Sequence, residues 1–345
     1  MAGQLEKGTL LGMGNPLLDL QTDVDQAFLD KWSLKANDAI LADDKHVPMF
    51  TELVDKYNIE FIPGGATQNA LRVCQWILNQ PKVATFFGAV GKDNYAETLA
   101  QKASEAGVNV KYQHHPEIKT GTCAALILGE HRSLCAHLAA ANCFTTDHLD
   151  IPENKESVEK AKFYYIAGFF LTVCPPAIIR VATHAAEHNK VFMMNLSAPF
   201  LSQFFKEPML AALPYVDILF GNETEALEFS KNNDFNTDNI SEIALKIGSW
   251  DKVNKKRKRM VVITQGDQPT IVAMDGAITE YPVKSLTKEQ LVDTNGAGDA
   301  FVGGFLAQYI QGKSVAECVE CGNYAAHAII QQQGCTFPSK CDYHH

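Results

Sequence analysis

Near the carboxyl end, the run from Asp293 to Phe305, DTNGAGDAFVGGF, gathers three features that can do chemistry. Gly296 and Gly298 permit a tight turn, Asp299 supplies a carboxylate, and Ala300, Phe301 and Phe305 start a helical apolar pattern. A glycine turn feeding a helix aims unpaired backbone N–H groups at one point, where the helix dipole also favours negative charge. Such a turn can cradle an anion. A carboxylate placed directly after it stands beside bound phosphate as a proton acceptor, which is what phosphoryl transfer to a hydroxyl needs. The same residues also suit a plain Asp N-cap after a glycine turn, so the motif does not decide by itself. Gly303 and Gly304, one turn further on, would let this helix pack closely against a neighbour.

The second pointed stretch is Pro63-Gly64-Gly65-Ala66-Thr67-Gln68-Asn69. Its two glycines let the backbone approach a ligand. Asn69 follows one turn into the next helix, and its amide can both donate to and accept from sugar hydroxyls. Asn222 and Glu225, three apart at a predicted helix start, form a third polar pair, which also suits a carboxylate favouring a helix N-terminus.

These groups need a frame. Short apolar runs at 9–13, 83–87, 163–167, 191–195, 216–220 and 260–264 lack strict alternation, which predicts strands covered on both faces. Helical patterns at 67–78, 95–105, 177–187, 223–230 and 241–247 separate most of them, so the fold class is α/β, doubly wound around a mostly parallel sheet. Gly14-Asn15, Gly88, Gly168, Gly221-Asn222 and Gln265-Gly266 fall at the carboxyl ends of strands, the side where such sheets bind ligands. A further strand-like run, 290–292, precedes the glycine turn. Short strands at 17–22 and 39–42, with a hairpin of 120–128 and 133–141 about Gly129-Glu130-His131, read as a separate small sheet acting as a lid.

Composition bounds the function. The 345 residues are 46% hydrophobic and 20% charged, as in a globular protein with a large core. A formal net charge of -10 argues against nucleic acid as a partner. The basic run Lys255 to Arg259 reads as a solvated, mobile loop or as a nuclear-import address. No apolar run is long enough for a signal peptide or a membrane span, and nine scattered cysteines suit a reducing compartment, so a cytoplasmic protein is expected. Cys318 and Cys321 form one Cys-x-x-Cys without a second pair, which favours packing over zinc or redox chemistry. A dinucleotide fingerprint at Gly12-Met13-Gly14 fails because Leu17 stands where the third glycine belongs.

Taken together and in this order, GGATQN at 64–69 and DTNGAGD at 293–299 resemble the ribokinase, or PfkB, family of ATP-dependent carbohydrate and nucleoside kinases. GMGNPLLD at 12–19, IAGFFLTV at 166–173, NLSAPF at 195–200 and DILFGNETEA at 217–226 are similar to its eukaryotic nucleoside-phosphorylating members. The resemblance implies one ribokinase-like domain over 1–345, with a discontinuous lid from about 16–60 and 119–142. It implies transfer of the γ-phosphoryl group of ATP, with Mg2+, to adenosine, a free sugar or another nucleoside being the alternative acceptor. A monomer is expected, although the sequence itself carries no signal of oligomeric state. Asp299 would be the base toward the 5'-hydroxyl, with the backbone of Asn295, Gly296, Ala297 and Gly298 holding the phosphate and Arg132 swinging over it. Asp19, Gly64, Gly65 and Asn69 would hold the ribose hydroxyls, supported by Asn15. Phe170 would face the adenine, with Leu17, Cys123, Leu134, Ala136 and Leu138 as apolar walls. Asn222 and Glu225 would organise magnesium, Asn222 also serving ATP together with Thr264, Gln265, Gly266 and Asn323. The chain departs from the family pattern at Ala39, Ala66 and Asn323, where Gln, Ser and His are usual.

Overall fold

The protein is described by a computed structural model covering residues 4–36, 38–129, 131–287 and 290–343. In chain order the strands are β1 (Leu10–Met13), β2 (Leu17–Asp23), β3 (Ala39–Leu41), β4 (Glu60–Gly64), β5 (Ala84–Val90), β6 (Asn109–His114), β7 (Thr122–Leu128) and β8 (His131–His137). They continue with β9 (Phe163–Ala167), β10 (Val191–Asn195), β11 (Ile218–Asn222), β12 (Met260–Gln265), β13 (Gln268–Met274) and β14 (Ala277–Tyr281). The helices are α1 (Gln26–Lys31), α2 (Val47–Lys56), α3 (Ala66–Leu78), α4 (Asn94–Glu105), α5 (Pro152–Lys160) and α6 (Pro175–Glu187). The rest are α7 (Pro199–Phe204), α8 (Lys206–Ala212), α9 (Glu223–Asn232), α10 (Ile240–Ser249), α11 (Ala297–Tyr309) and α12 (Val315–Ile329).

The large sheet runs β14-β13-β12-β11-β10-β9-β1-β5-β6. It is parallel from β12 to β6, and β13 and β14 add an antiparallel edge. Every residue of β5 is buried, as a strand sandwiched between helix layers must be. Leu11, Phe87, Ile166 and Met194 pack against Ile178 and Val181 of α6 on one face. On the other, Leu10, Phe86, Tyr165 and Phe220 meet Leu71 of α3 and Phe305 of α11. Strand order reverses at β1, which pairs with β5 on one side and β9 on the other. A crevice therefore opens beyond its carboxyl end.

Helix α11 fits between α3 and α12 because two positions lack side chains. A Cβ on Gly303 would lie 2.5 Å from the Ala70 carbonyl, and one on Gly304 would lie 2.4 Å from that of Cys321. The close packing read from this pair is borne out.

The second sheet, β3-β8-β7-β2-β4, is backed by α1 and α2 through Phe28, Leu29, Met49 and Leu53 against Ala124, Leu126 and Cys135. Its strand β4 went unread in the sequence, and Pro63 is tolerated there because β4 is an edge. The hairpin's second strand ends at His137, with a 3-10 turn at Ala139–Cys143 where strand was expected. Glu130 lies outside the described residues.

Two other expectations are corrected. The run 290–292 is not a strand; the backbone N–H groups of Val292 and Asp293 donate to the Ile330 carbonyl at the end of α12. The basic run is not uniformly solvated. Arg259 is fully buried and donates to the carbonyls of Val216, Ile247, Leu213, Trp250 and Asp251, while Arg257 binds Asn189. Cys318 and Cys321 are buried in α12, with Gln308 donating to the Cys321 sulfur.

Candidate active site

The glycine turn and α11 form the floor. Gly296 caps the helix with φ +79°, a left-handed value that suits glycine, and among the described residues no side chain caps the first turn. A Cβ on Gly298 would meet no atom of the described residues within 4 Å, so this face is open to a cavity of about 90 Å³. Asp299 keeps part of its surface toward that cavity. Removal of water nevertheless pushes its carboxyl up to about 7, with the Asn69 hydrogen bond opposing the rise and the charges of Asp19 and Glu225 adding to it.

The second motif arrives from β4 and α3. Gly65, at φ +93°, passes so near β1's exit that a Cβ would fall 2.1 Å from the Asn15 carbonyl. A Cβ on Gly64 would strike the Asp19 carboxylate at 2.3 Å. These two glycines thus let Asn15, Asp19 and the start of α3 share one small space. Asn69 Nδ2 donates to Asp299 Oδ2 at 3.2 Å, joining residues 230 apart in sequence. Asn15 Oδ1 is buried and has no hydrogen-bond partner among the described residues, leaving an acceptor for a ligand. Burial raises the Asp19 carboxyl to about 7, against the charges of Arg132 and Arg72.

Across the cavity stands the Asn222 and Glu225 pair. It forms a reciprocal capping box at the start of α9: Asn222 Oδ1 accepts from the Glu225 N–H, and Glu225 accepts from the Asn222 backbone and amide. Burial raises Glu225 to about 7. Both residues line the same cavity as Asp299, Gly298 and Thr264, so the helix-start role and a cavity-facing position coexist. Among the described residues no group of three metal-ligating side chains is present.

Sequence reasoning missed several wall residues. Asn195 and Ser197 line the cavity, and Ser197 takes φ +67°. Its hydroxyl accepts from the Gly168 N–H at 2.8 Å while its own N–H donates to Asn195 Oδ1. The NLSAPF run held these residues, but no local pattern announces a left-handed serine. Phe169 also lines the cavity, whereas its neighbour Phe170 is fully buried against Phe144. Leu17 and Cys123 are brought together with Ala141, and Leu134, Ala136 and Leu138 pack against them.

Arg132 does not reach freely into solvent. It forms a largely buried ion pair with Asp293, at the entrance to the glycine turn. Asp293 also accepts from the N–H groups of Asn295 and Gly334, so the small sheet, the glycine turn and the carboxyl-terminal segment meet on one carboxylate. Thr264 donates to the Gly221 carbonyl. Gln265 bonds to Pro269 within the β12–β13 hairpin, whose turn contains Gly266 at φ +58°. Asn323 accepts from Thr270 across to β13. These last three stand apart from the Asp299 cavity lining.

The family model described as pfkB family carbohydrate kinase matches residues 26–341. Adenosine kinase 1 of Arabidopsis thaliana is 54% identical over 343 residues, covering 99% of this chain and 100% of that protein. The crystal structure of Anopheles gambiae adenosine kinase in complex with P1,P4-di(adenosine-5) tetraphosphate superposes with TM-score 0.94 at 50% identity, covering 98% of this chain and all of that one. Adenosine kinase from Schistosoma mansoni in complex with adenosine and AMP gives TM-score 0.90 at 35% identity, covering 98% and 100%.

Proposed function

The chain belongs to the pfkB family of carbohydrate kinases, and from that premise we infer that it transfers the γ-phosphoryl group of ATP to the 5'-hydroxyl of adenosine, giving AMP and ADP. The observation that carries the assignment of roles is the 3.2 Å contact between Asn69 and Asp299, which unites the hydroxyl-binding and anion-binding motifs in one crevice.

Asp19, Asn69 and Asn15 hold the ribose. A carboxylate and an amide satisfy a vicinal diol, and a site built this way rejects ligands lacking a hydroxyl. Asp299 accepts the 5'-hydroxyl proton as the oxygen attacks phosphorus. With the N–H groups of Asn295 and Ala297 already donating to Asp293 and the Thr294 carbonyl, those of Gly296 and Gly298 stabilise charge on the transferring group, and Arg132 adds positive charge from the side of the small sheet. Leu17, Cys123, Leu134, Ala136 and Leu138 wall the nucleobase, and the lid sheet excludes water that would compete as acceptor. Thr264, Gln265, Gly266 and Asn323 flank the ATP.

Magnesium fits the donor set in a limited way. Glu225 and Asn222 already satisfy one another, so they suit an ion reached through water and phosphate oxygens rather than one caged by the protein. When bound, magnesium would neutralise phosphate charge; Glu225 would orient its water. A reducing, cytoplasmic setting suits the nine free cysteines, and no described helix is long and apolar enough to cross a membrane. Nuclear import through 255–259 has little support because Arg259 is spent on internal carbonyls. The enzyme acts as a monomer in this reading, since one chain supplies every group named.

A coupled assay of ADP release with adenosine, inosine and ribose tests the function. Adenosine should be turned over fastest. Faster phosphorylation of ribose or inosine would overturn the assignment.

A further inference from the structure

A buried guanidinium stands behind the site. Arg72, on α3 and almost wholly enclosed, makes no ion pair among the described residues, and among them its Nε has no hydrogen-bond partner. Its Nη1 shares its hydrogens among three oxygens, each at 3.2 Å: the Pro63 carbonyl just before Gly64, Asn69 Oδ1, and the Cys335 carbonyl. The ring of Phe337 lies 5.3 Å from the guanidinium carbon. An isolated buried cation is costly to a fold, and burial lowers its pKa. Its contacts therefore call for a reason beyond packing.

The reason lies in the symmetry of an amide. Asn69 can present either oxygen or nitrogen to a neighbour with nearly the same shape. Facing the carboxylate of Asp299, the oxygen would repel and the nitrogen would donate. We propose that Arg72 is the positioning residue of this site: by donating to Asn69 Oδ1 it holds the amide with Nδ2 toward Asp299, keeping the base hydrogen-bonded and the sugar-facing donor in register. The proposal rests on the kinase reading for the role of Asp299. Its geometry does not. The guanidinium also ties the exit of β4 to the carboxyl-terminal segment, so the amide is fixed relative to three elements at once.

The consequence is readable in the titration of Asp299, where Asn69's donation opposes the upward pull of burial. Asp19 from β2, Glu225 from α9, Tyr165 from β9 and Cys335 from the carboxyl-terminal segment also face Asp299. Asp19 additionally feels Arg72's charge, so loss of charge must be separated from loss of orientation. Arg72→Lys keeps the charge with poorer reach; Arg72→Met removes both.

The test is a carboxyl NMR titration of Asp299 in the ligand-free protein, assigned with Asp299→Asn, for wild type, R72K, R72M, N69A and each Arg72 change combined with N69A. Arg72→Met is expected to move the Asp299 midpoint up by about half a unit or more, and Arg72→Lys by less. Neither should move it further once Asn69 is alanine. In the adenosine assay, Arg72→Met should cost about 10–100-fold in kcat/KM, the scale for removing an outer partner of a functional group. An unmoved midpoint, or an equal shift with and without Asn69, overturns the proposal. If Arg72→Met does not fold, the Arg72→Lys comparison alone decides by the same criterion. The titration needs no turnover, so wild-type protein that fails to phosphorylate adenosine would count against the function while leaving this result readable.

Discussion

At Asp299, burial raises the carboxyl to about 7 while the Asn69 amide pulls the other way. A base must be ionised to accept a proton, so kcat/KM for adenosine should fall as pH drops through about 7. A pH profile by coupled assay checks this; a flat response between about pH 6 and 8 would contradict it. Asp19 and Glu225 also reach about 7, so the observed midpoints belong to the group of carboxylates. Their effect on stability has the opposite sense. A carboxyl whose folded pKa is raised stabilises the fold at low pH and loses that contribution as pH rises through the folded value. The ligand-free Tm should therefore decline from about pH 4 to about pH 7, and Asp19→Asn should flatten the decline. At this scale the sequence was most legible: Asp299, Asn69 and Asp19 stand in one crevice, because motif chemistry is local. Arg72 was invisible, since a buried arginine in a helix carries no mark of what it faces.

Two glycines on α11 separate packing from chemistry at the scale of elements. Gly303 is pressed against the Ala70 carbonyl, whereas Gly298 faces open space at ordinary φ. Gly303→Ala should destabilise the protein by about 1–3 kcal/mol, the usual cost of overpacking, as read from urea midpoints. Gly298→Ala should leave that midpoint unchanged and lower turnover by crowding the anion turn. Equal destabilisation by both would contradict this division. Helices with a clean apolar period, such as α3 and α6, were readable because periodicity reports burial directly. Strand β4 was not, since Pro63 and two glycines look like a loop unless the edge position is known. The run 290–292 misled for the converse reason: an apolar sequence satisfied its backbone against the end of α12 instead of a strand.

Across the whole molecule, the small sheet, the glycine turn and the carboxyl-terminal segment converge on Asp293 through Arg132, Asn295 and Gly334. Gln21 of β2 meets Gln333 beside the same junction. No sequence pattern encodes such a meeting, because its members are 161 and 41 residues from Asp293. Asp293→Asn removes one charge of a largely buried pair and should populate the open lid. Weaker adenosine binding and faster hydrogen exchange along β7 and β8 are expected, while unchanged exchange there would refute a role for the pair in closure. The proposed role of Asp299 is to take the proton of the accepting hydroxyl. Its most direct measurement is turnover of Asp299→Asn by ADP release, paired with calorimetric adenosine binding. Binding should persist while turnover falls about 100–10,000-fold, and near wild-type turnover would contradict the claim.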